Sequence, residues 1–175
     1  MIEILRADIT RLDVDAIVNA ANGGLTGGGG VDGAIHRAAG PELARAAVRF
    51  APLSTGDAVL TPGFRLPARF VIHAVGPVWW DGARGEPELL RQAYQRAFQA
   101  ARAEGSIRSI AFPAISTGAY RFPKREAAAI AVEVMREYAP AFDRVIACLF
   151  DAESERYYRE RLDGAGAGNS PNADL

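Results

Sequence analysis

The sequence predicts an α/β domain built on a largely parallel sheet. Three observations carry that reading. Short β-branched or aromatic runs alternate with helical patterns along the chain. Hydrophobic residues make up 49% and charged residues 23%, an ordinary globular balance. No linker or internal repeat divides the 175 residues, so one core is expected.

The elements follow in order. Residues 2–5 (IEIL) and 16–20 (AIVNA) read as strands. A helix is expected over 31–39, with Asp32 in its first turn and a stop at Gly40-Pro41. A second runs over 41–50, opening on Pro41, whose fixed φ suits a first helical position. Residues 57–60 (DAVL) and 69–75 (RFVIHAV) are the next strands. Over 86–105, Leu89, Ala93, Ala97 and Ala100 recur at helical spacing and Gly105 ends the helix. Residues 109–115 (SIAFPAI) return to strand. Residues 123–138 return to helix, with Ile130, Val134 and Tyr138 on one face. The strand 144–150 (RVIACLF) and the helix 152–162 complete the domain 1–162. The tail 163–175 is small and polar and is expected to be disordered.

Composition excludes several function classes. A net charge of −1 gives no bulk attraction for nucleic acid or anionic lipid. The single cysteine, Cys148, rules out an intrachain disulfide and points to a reducing, cytoplasmic setting. Set in "VIACLF", it reads as core packing in preference to a reactive thiol. "MIEILRADIT" has no basic stretch followed by an apolar one, so no secretory signal is read. No apolar run approaches the roughly 18 residues of a membrane span.

Chemistry is concentrated in two loops. Residues 19–40 read "NAANGGLTGGGGVDGAIHRAAG", with consecutive glycines from Gly27 to Gly30 ahead of a helix. Glycines let backbone N–H groups approach a ligand without an intervening Cβ, and the helix N-terminus adds partial positive charge. The alternative is a flexible surface loop. No Gly-Lys-Ser/Thr follows, so it is not a P-loop, and the Gly-x-Gly-x-x-Gly match within it is nearly automatic. Residues 113–123 ("PAISTGAYRFP") follow an apolar strand and offer Ser116, Thr117 and Gly118 where open α/β sheets bind ligands. The alternative there is an ordinary strand–helix connection. Two such loops suggest a pyrophosphate with groups extending both ways.

Together with "GFRLPARFVIHAVGP" and "FPAISTGAYRFP", the glycine stretch resembles the macrodomain family, in particular its MacroD-type branch, from Asp8 to Tyr158. The resemblance implies a three-layer α/β/α sandwich around a mixed, mostly parallel six-stranded sheet. It implies ADP-ribose binding, removal of mono-ADP-ribose from acidic protein side chains and deacetylation of O-acetyl-ADP-ribose. By position, it assigns Asp8 and Ile9 to adenine and Asn19 and Asn22 to the distal ribose, with Ala20 also among the ADP-ribose-binding residues. Gly28, Gly29, Gly30 and Val31 cradle the diphosphate from one side. Ser116, Thr117, Gly118, Ala119 and Tyr120 do so from the other. Phe150 packs on the adenine face. Asp32, Asn22 and His36 form the implied catalytic set, and His73 is read as structural.

Each assignment has a plainer alternative: a turn cap for Asp8, loop stabilisation for Asn19 and Asn22, core for Phe150. Asp32 would then serve only the helix dipole, and His36 would be a half-buried helix histidine. Arg121 stands where the family has glycine, and Ala7 where glycine often precedes the adenine-binding aspartate. Arg121 would pair with phosphate, stiffen the loop or simply face solvent. Expected partners are ADP-ribose, its derivatives and ADP-ribosylated proteins, acting on a monomer with no cofactor, metal or membrane. Two alternatives stay open: a non-catalytic ADP-ribose reader, and a hydrolase acting on ADP-ribosylated nucleic acid ends.

Overall fold

A sheet of six strands forms the middle layer of the computed structural model, which describes residues 1–164. The strands are β1 (Ile2–Arg6), β2 (Ala16–Ala20), β3 (Ala58–Pro62), β4 (Phe70–Ala74), β5 (Ser109–Phe112) and β6 (Arg144–Leu149). Their order is β1-β6-β5-β2-β4-β3. All neighbours pair in parallel except β3, which runs antiparallel to β4 at the edge. The mixed, mostly parallel sheet expected from the family resemblance is the one found. The helices are α1 (Gly30–Ala39), α2 (Glu42–Ala47), α3 (Glu86–Glu104), α4 (Lys124–Tyr138) and α5 (Ala152–Gly164).

Alternation along each strand divides the core in two. Val18, Ile72, Ile110, Phe112, Val145 and Ala147 pack toward α3, α4 and α5. Ile17, Val71, Ala111, Ile146 and Cys148 pack toward α1 and α2, through Ile35, Ala39 and Leu43. Three layers result, each helical layer burying one apolar stripe. No helix among the described residues is long and apolar enough to cross a membrane.

Several boundaries differ from the sequence expectation, for local reasons. β5 stops at Phe112, short of residue 115, because Pro113 has no N–H to continue the ladder. β6 ends at Leu149 and leaves Phe150 outside it. Pro41 is the N-cap of α2, not its first residue. α2 gives way to a 3-10 turn over Val48–Phe50, since Pro52 restricts Ala51 to extended backbone. Asp163 and Gly164 continue α5, so they do not belong to a disordered tail. The rest of the expected tail, 165–175, lies outside the described residues.

Two side chains fix the loops that follow the strands. The buried Tyr94 hydroxyl of α3 accepts the Ile115 N–H at 3.1 Å, donates to the Pro113 carbonyl at 3.3 Å and meets the Tyr158 hydroxyl at 3.3 Å. Burial pushes its pKa up to about 12, so it stays a neutral phenol. Glu86, at the start of α3, accepts backbone N–H groups of Trp80, Asp81, Gly82 and Arg84. Burial raises its pKa, but these donors outweigh burial and hold it at about 2. The loop so folded donates the Trp79 N–H to the Tyr120 carbonyl at 2.8 Å.

Tyr94→Phe should leave the Ile115 N–H buried and unpaired. Stability should fall by about 1–3 kcal/mol, read as a lower urea midpoint at constant slope. An unchanged midpoint would show that residues 113–115 find another partner.

Candidate active site

Four loops leave the C-terminal ends of parallel strands and face one another: the turn after β1, the glycine loop after β2, residues 113–123 after β5 and Phe150-Asp151 after β6. They enclose a cleft of about 1230 Å³. Asp8, Ile9, Ala20, Asn22, Gly28, Gly29, Gly30, Val31 and Asp32 line it on the β1 and β2 side. Ser116, Thr117, Gly118, Ala119, Tyr120 and Phe150 line it on the β5 and β6 side.

The glycine loop hugs the helix it opens. A Cβ on Gly33 would meet the Gly28 carbonyl oxygen at 2.3 Å, so only glycine lets the loop fold back there. No side chain caps α1, whose first residues Gly30 and Val31 face the cleft. α5 differs: Asp151 accepts the Ser154 N–H at 2.7 Å and closes that helix end. In the second loop, Ser116 holds a φ of +68°, and its hydroxyl fills the space a Gly76 side chain would need. The buried Ser116 Oγ has no protein hydrogen-bond partner among the described residues.

Asp32 sits in the first turn of α1, with 6% of its surface exposed. Asn19 Nδ2 donates to its Oδ1 at 2.8 Å, and His36 Nε2 lies 3.3 Å from the same oxygen. The other oxygen, Oδ2, lies on the side where a Gly28 side chain would stand, 3.4 Å from the position of its Cβ, and both residues line the cleft. Asn22 donates Nδ2 to the Gly27 carbonyl at 3.0 Å. That bond orients the amide and leaves Oδ1, buried and unpartnered, as a free acceptor.

A family model described as Macro domain matches residues 18–131. The chain belongs to the Macro domain family. Among curated relatives, a macro domain-containing protein of Ralstonia nicotianae is 52% identical over 161 residues, covering 92% of this chain and 94% of that protein. A protein of Escherichia fergusonii named O-acetyl-ADP-ribose deacetylase is 49% identical over 172 residues, covering 94% of this chain and 97% of the relative. Among solved structures, a mutant Oceanobacillus iheyensis macrodomain with ADPR superposes with a TM-score of 0.89 at 42% identity, covering 95% and 94% of the two chains. A Trypanosoma brucei macrodomain in complex with ADP-ribose gives 0.82 at 41% identity, covering 91% of this chain and 68% of that one.

In this macrodomain two of the expected site residues stand behind the cleft wall. Asn19 is fully buried on β2, meets Asp32 and His73, and does not line the cleft. Its side chain points to the sheet face under α1, because alternation puts Asn19 with Ile17 there. His36 is likewise absent from the lining and meets the site through Asp32 and through Gly27 of the glycine loop, against which its ring lies. Phe150 is 96% exposed at the cleft rim, which removes core packing as its reason for being apolar. Asp8 lines the cleft and also caps the turn Ile9–Arg11, accepting the Thr10 N–H and hydroxyl at 3.0 and 2.7 Å. Arg121 is exposed with a φ of +60°, a left-handed backbone more natural to glycine, and does not line the cleft.

Sequence reading missed Arg6, Arg37 and Lys124, which bring positive charge to the rim. It also missed Thr61. Cys148 packs with the α1 face and lines the cleft, and burial pushes its thiol up to about 11.

Burial also holds the His73 pKa down at about 4 from 6.5, with nearby His36 adding to the effect. The unfolded chain takes up this proton below pH 6.5 and the folded protein only below about 4. Stability is therefore free of this penalty above pH 6.5 and falls progressively toward pH 4, by up to about 3 kcal/mol. Urea unfolding of wild type and His73→Asn at about pH 7 and about pH 4 reads it. The wild type should lose more than the variant over that interval. Equal losses would place an ionisable, solvated histidine at this position.

Proposed function

We propose that this macrodomain binds ADP-ribose along the cleft and hydrolyses esters of its distal ribose. Its substrates would be O-acetyl-ADP-ribose and mono-ADP-ribose on acidic protein side chains. The reading includes a cytoplasmic monomer with ADP-ribosylated proteins as partners. One observation carries it: Asp32 is held from behind through Oδ1 while Oδ2 borders the cleft, beside Gly28 and Asn22. Names of relatives support the same chemistry, as do the ADP-ribose complexes of structural neighbours.

Strand order sets the order of subsites. In this reading adenine sits between Asp8 and Ile9, which follow β1, and Phe150, which follows β6, neighbours at one edge of the sheet. The diphosphate then crosses β5, between Ser116–Tyr120 and the uncapped start of α1. The distal ribose reaches β2, where Asn22 lines the cleft as its polar contact. Hydrolysis there forms a bond from a water oxygen to the ester carbonyl carbon and breaks that carbon's bond to the ribose oxygen, with Asp32 as the base that takes the water's proton and returns it to the departing ribose hydroxyl. Backbone N–H groups offset the diphosphate charge throughout.

ADP-ribose should bind with a dissociation constant on the order of micromolar, about −8 kcal/mol. AMP should bind far more weakly, since it reaches neither the second phosphate site nor Asn22. Asp32→Ala should lower turnover by roughly two to four orders of magnitude while calorimetric affinity is retained. Turnover within a few-fold of wild type would transfer the base role to the substrate's own diphosphate. The assay should compare glutamate-linked ADP-ribose, O-acetyl-ADP-ribose and an ADP-ribosylated nucleic acid end. Binding of ADP-ribose with no turnover of any of them would make the protein a reader.

Phe150→Ala tests the adenine end. Aromatic stacking is worth about 1 kcal/mol, so ADP-ribose affinity should fall several-fold and ribose phosphate affinity should not change. Because Phe150 is exposed, melting temperature should hold. Equal weakening of both ligands would take Phe150 away from adenine.

A further inference from the structure

Behind Asp32 runs a line of buried polar groups with a single direction. Asn19 and His73 are register partners across the parallel β2–β4 pair, and Thr61 lies one strand further, on β3. Asn19, His73 and Thr61 are exposed by 0%, 1% and 2%. Asn19 Nδ2 donates to Asp32 Oδ1 at 2.8 Å and lies 3.2 Å from His73 Nδ1. His73 Nε2 lies 3.0 Å from Thr61 Oγ1, and Thr61 Oγ1 donates to the Pro62 carbonyl at 3.2 Å.

Only one assignment of hydrogens satisfies every link. The Asp32 carboxylate accepts, so Asn19 must turn its NH₂ toward it. The second hydrogen of that NH₂ then points at His73 Nδ1, which must be bare. The imidazole proton therefore sits on Nε2 and goes to Thr61, whose own hydrogen is spent on Pro62. The rings of His36 and His73 are 6.3 Å apart, so the two histidines flank Asp32 and Asn19 together.

We infer that His73 is a positioning residue for Asp32: as its Nε2–H tautomer, anchored by Thr61, it locks the Asn19 amide, which pins Asp32 Oδ1 and leaves Oδ2 facing the cleft. The inference rests on Asp32 acting on a bound ADP-ribosyl ester. An unpinned carboxylate rotates, and misplacement of a base by about 1 Å costs around a hundredfold in rate. The diphosphate cradle is backbone and does not depend on this line, so binding and turnover separate.

The test uses the full chain with O-acetyl-ADP-ribose as substrate and three variants. His73→Phe keeps bulk and removes both nitrogens. His73→Asn restores an acceptor beside Asn19. Thr61→Val keeps shape and frees the His73 proton. His73→Phe should lower kcat about ten- to a hundredfold with ADP-ribose affinity and KM near wild type. His73→Asn should recover part of that loss. Nitrogen-15 NMR of the imidazole should show a bare Nδ1 and a protonated Nε2 in wild type, and a mixed population in Thr61→Val. A folded His73→Phe with wild-type kcat, or one losing affinity as much as turnover, would overturn the inference. So would a wild-type spectrum with the proton on Nδ1. Should His73→Phe fail to fold, the spectrum and the kcat of Thr61→Val decide. Should the wild type turn over no ester, the hydrolase reading fails by itself, and a bare Nδ1 in wild type with tautomer mixing in Thr61→Val still upholds the lock on Asn19.

Discussion

A carboxylate taken out of water demands donors, and Asp32 is taken almost wholly out of water. That demand organises the centre of the molecule. Asn19 answers it from the sheet by donating to Oδ1, and His36 Nε2 stands 3.3 Å from the same oxygen one turn along α1. The helix is thereby tied to β2 at one height and rotation, and the glycine loop between them has a fixed span to cover. Gly33 then lets the Gly28 backbone approach closely enough for the loop to close over the helix start. The uncapped end of α1 and the free oxygen of Asp32 face the cleft as consequences of one satisfied charge.

The rest of the cleft depends on parallel pairing. Parallel strands deliver their following loops to one edge of the sheet. Here the order β1-β6-β5-β2 brings together segments separated by more than a hundred residues in sequence, Asp8 against Phe150 among them. Support comes from below: Tyr94 and Tyr158 hold the start of the second loop, and Glu86 fixes the turn that grips Tyr120 through Trp79. The loops can be rich in glycine and still be ordered because neighbouring elements carry their hydrogen bonds.

Much of this was legible in the chain. Every strand and helix appears close to its expected place, because apolar periodicity reports the burial that creates it. The ends were less readable: β5 and β6 were drawn too long because "AFPAI" and "ACLF" stay apolar past the point where pairing stops. Apolar character at Ile115 serves packing below a loop, and at Phe150 it serves a surface. The place of Asn19 behind the cleft wall is hard to read for a related reason. A lone asparagine in an apolar strand shows that a polar group is buried but not which face it meets, and alternation with Ile17 supplies that only once the pairing is known. Thr61 gave no signal, since its role exists only across β3 and β4. Positive charge at Arg6, Arg37 and Lys124 was equally silent, because surface arginines and lysines are common everywhere.

The contrast between the two helix starts at the cleft has an outcome of its own. α1 offers an open positive pole, whereas Asp151 plugs the pole of α5 and is itself paired with Lys124 at 3.4 Å. An anion entering the cleft thus meets an unspent helix pole at one end and a spent one at the other. The trough is polar in the sense of a compass: a molecule with its charge off-centre can settle head-first in only one sense. The unequal finish of two helices alone gives the cleft that direction.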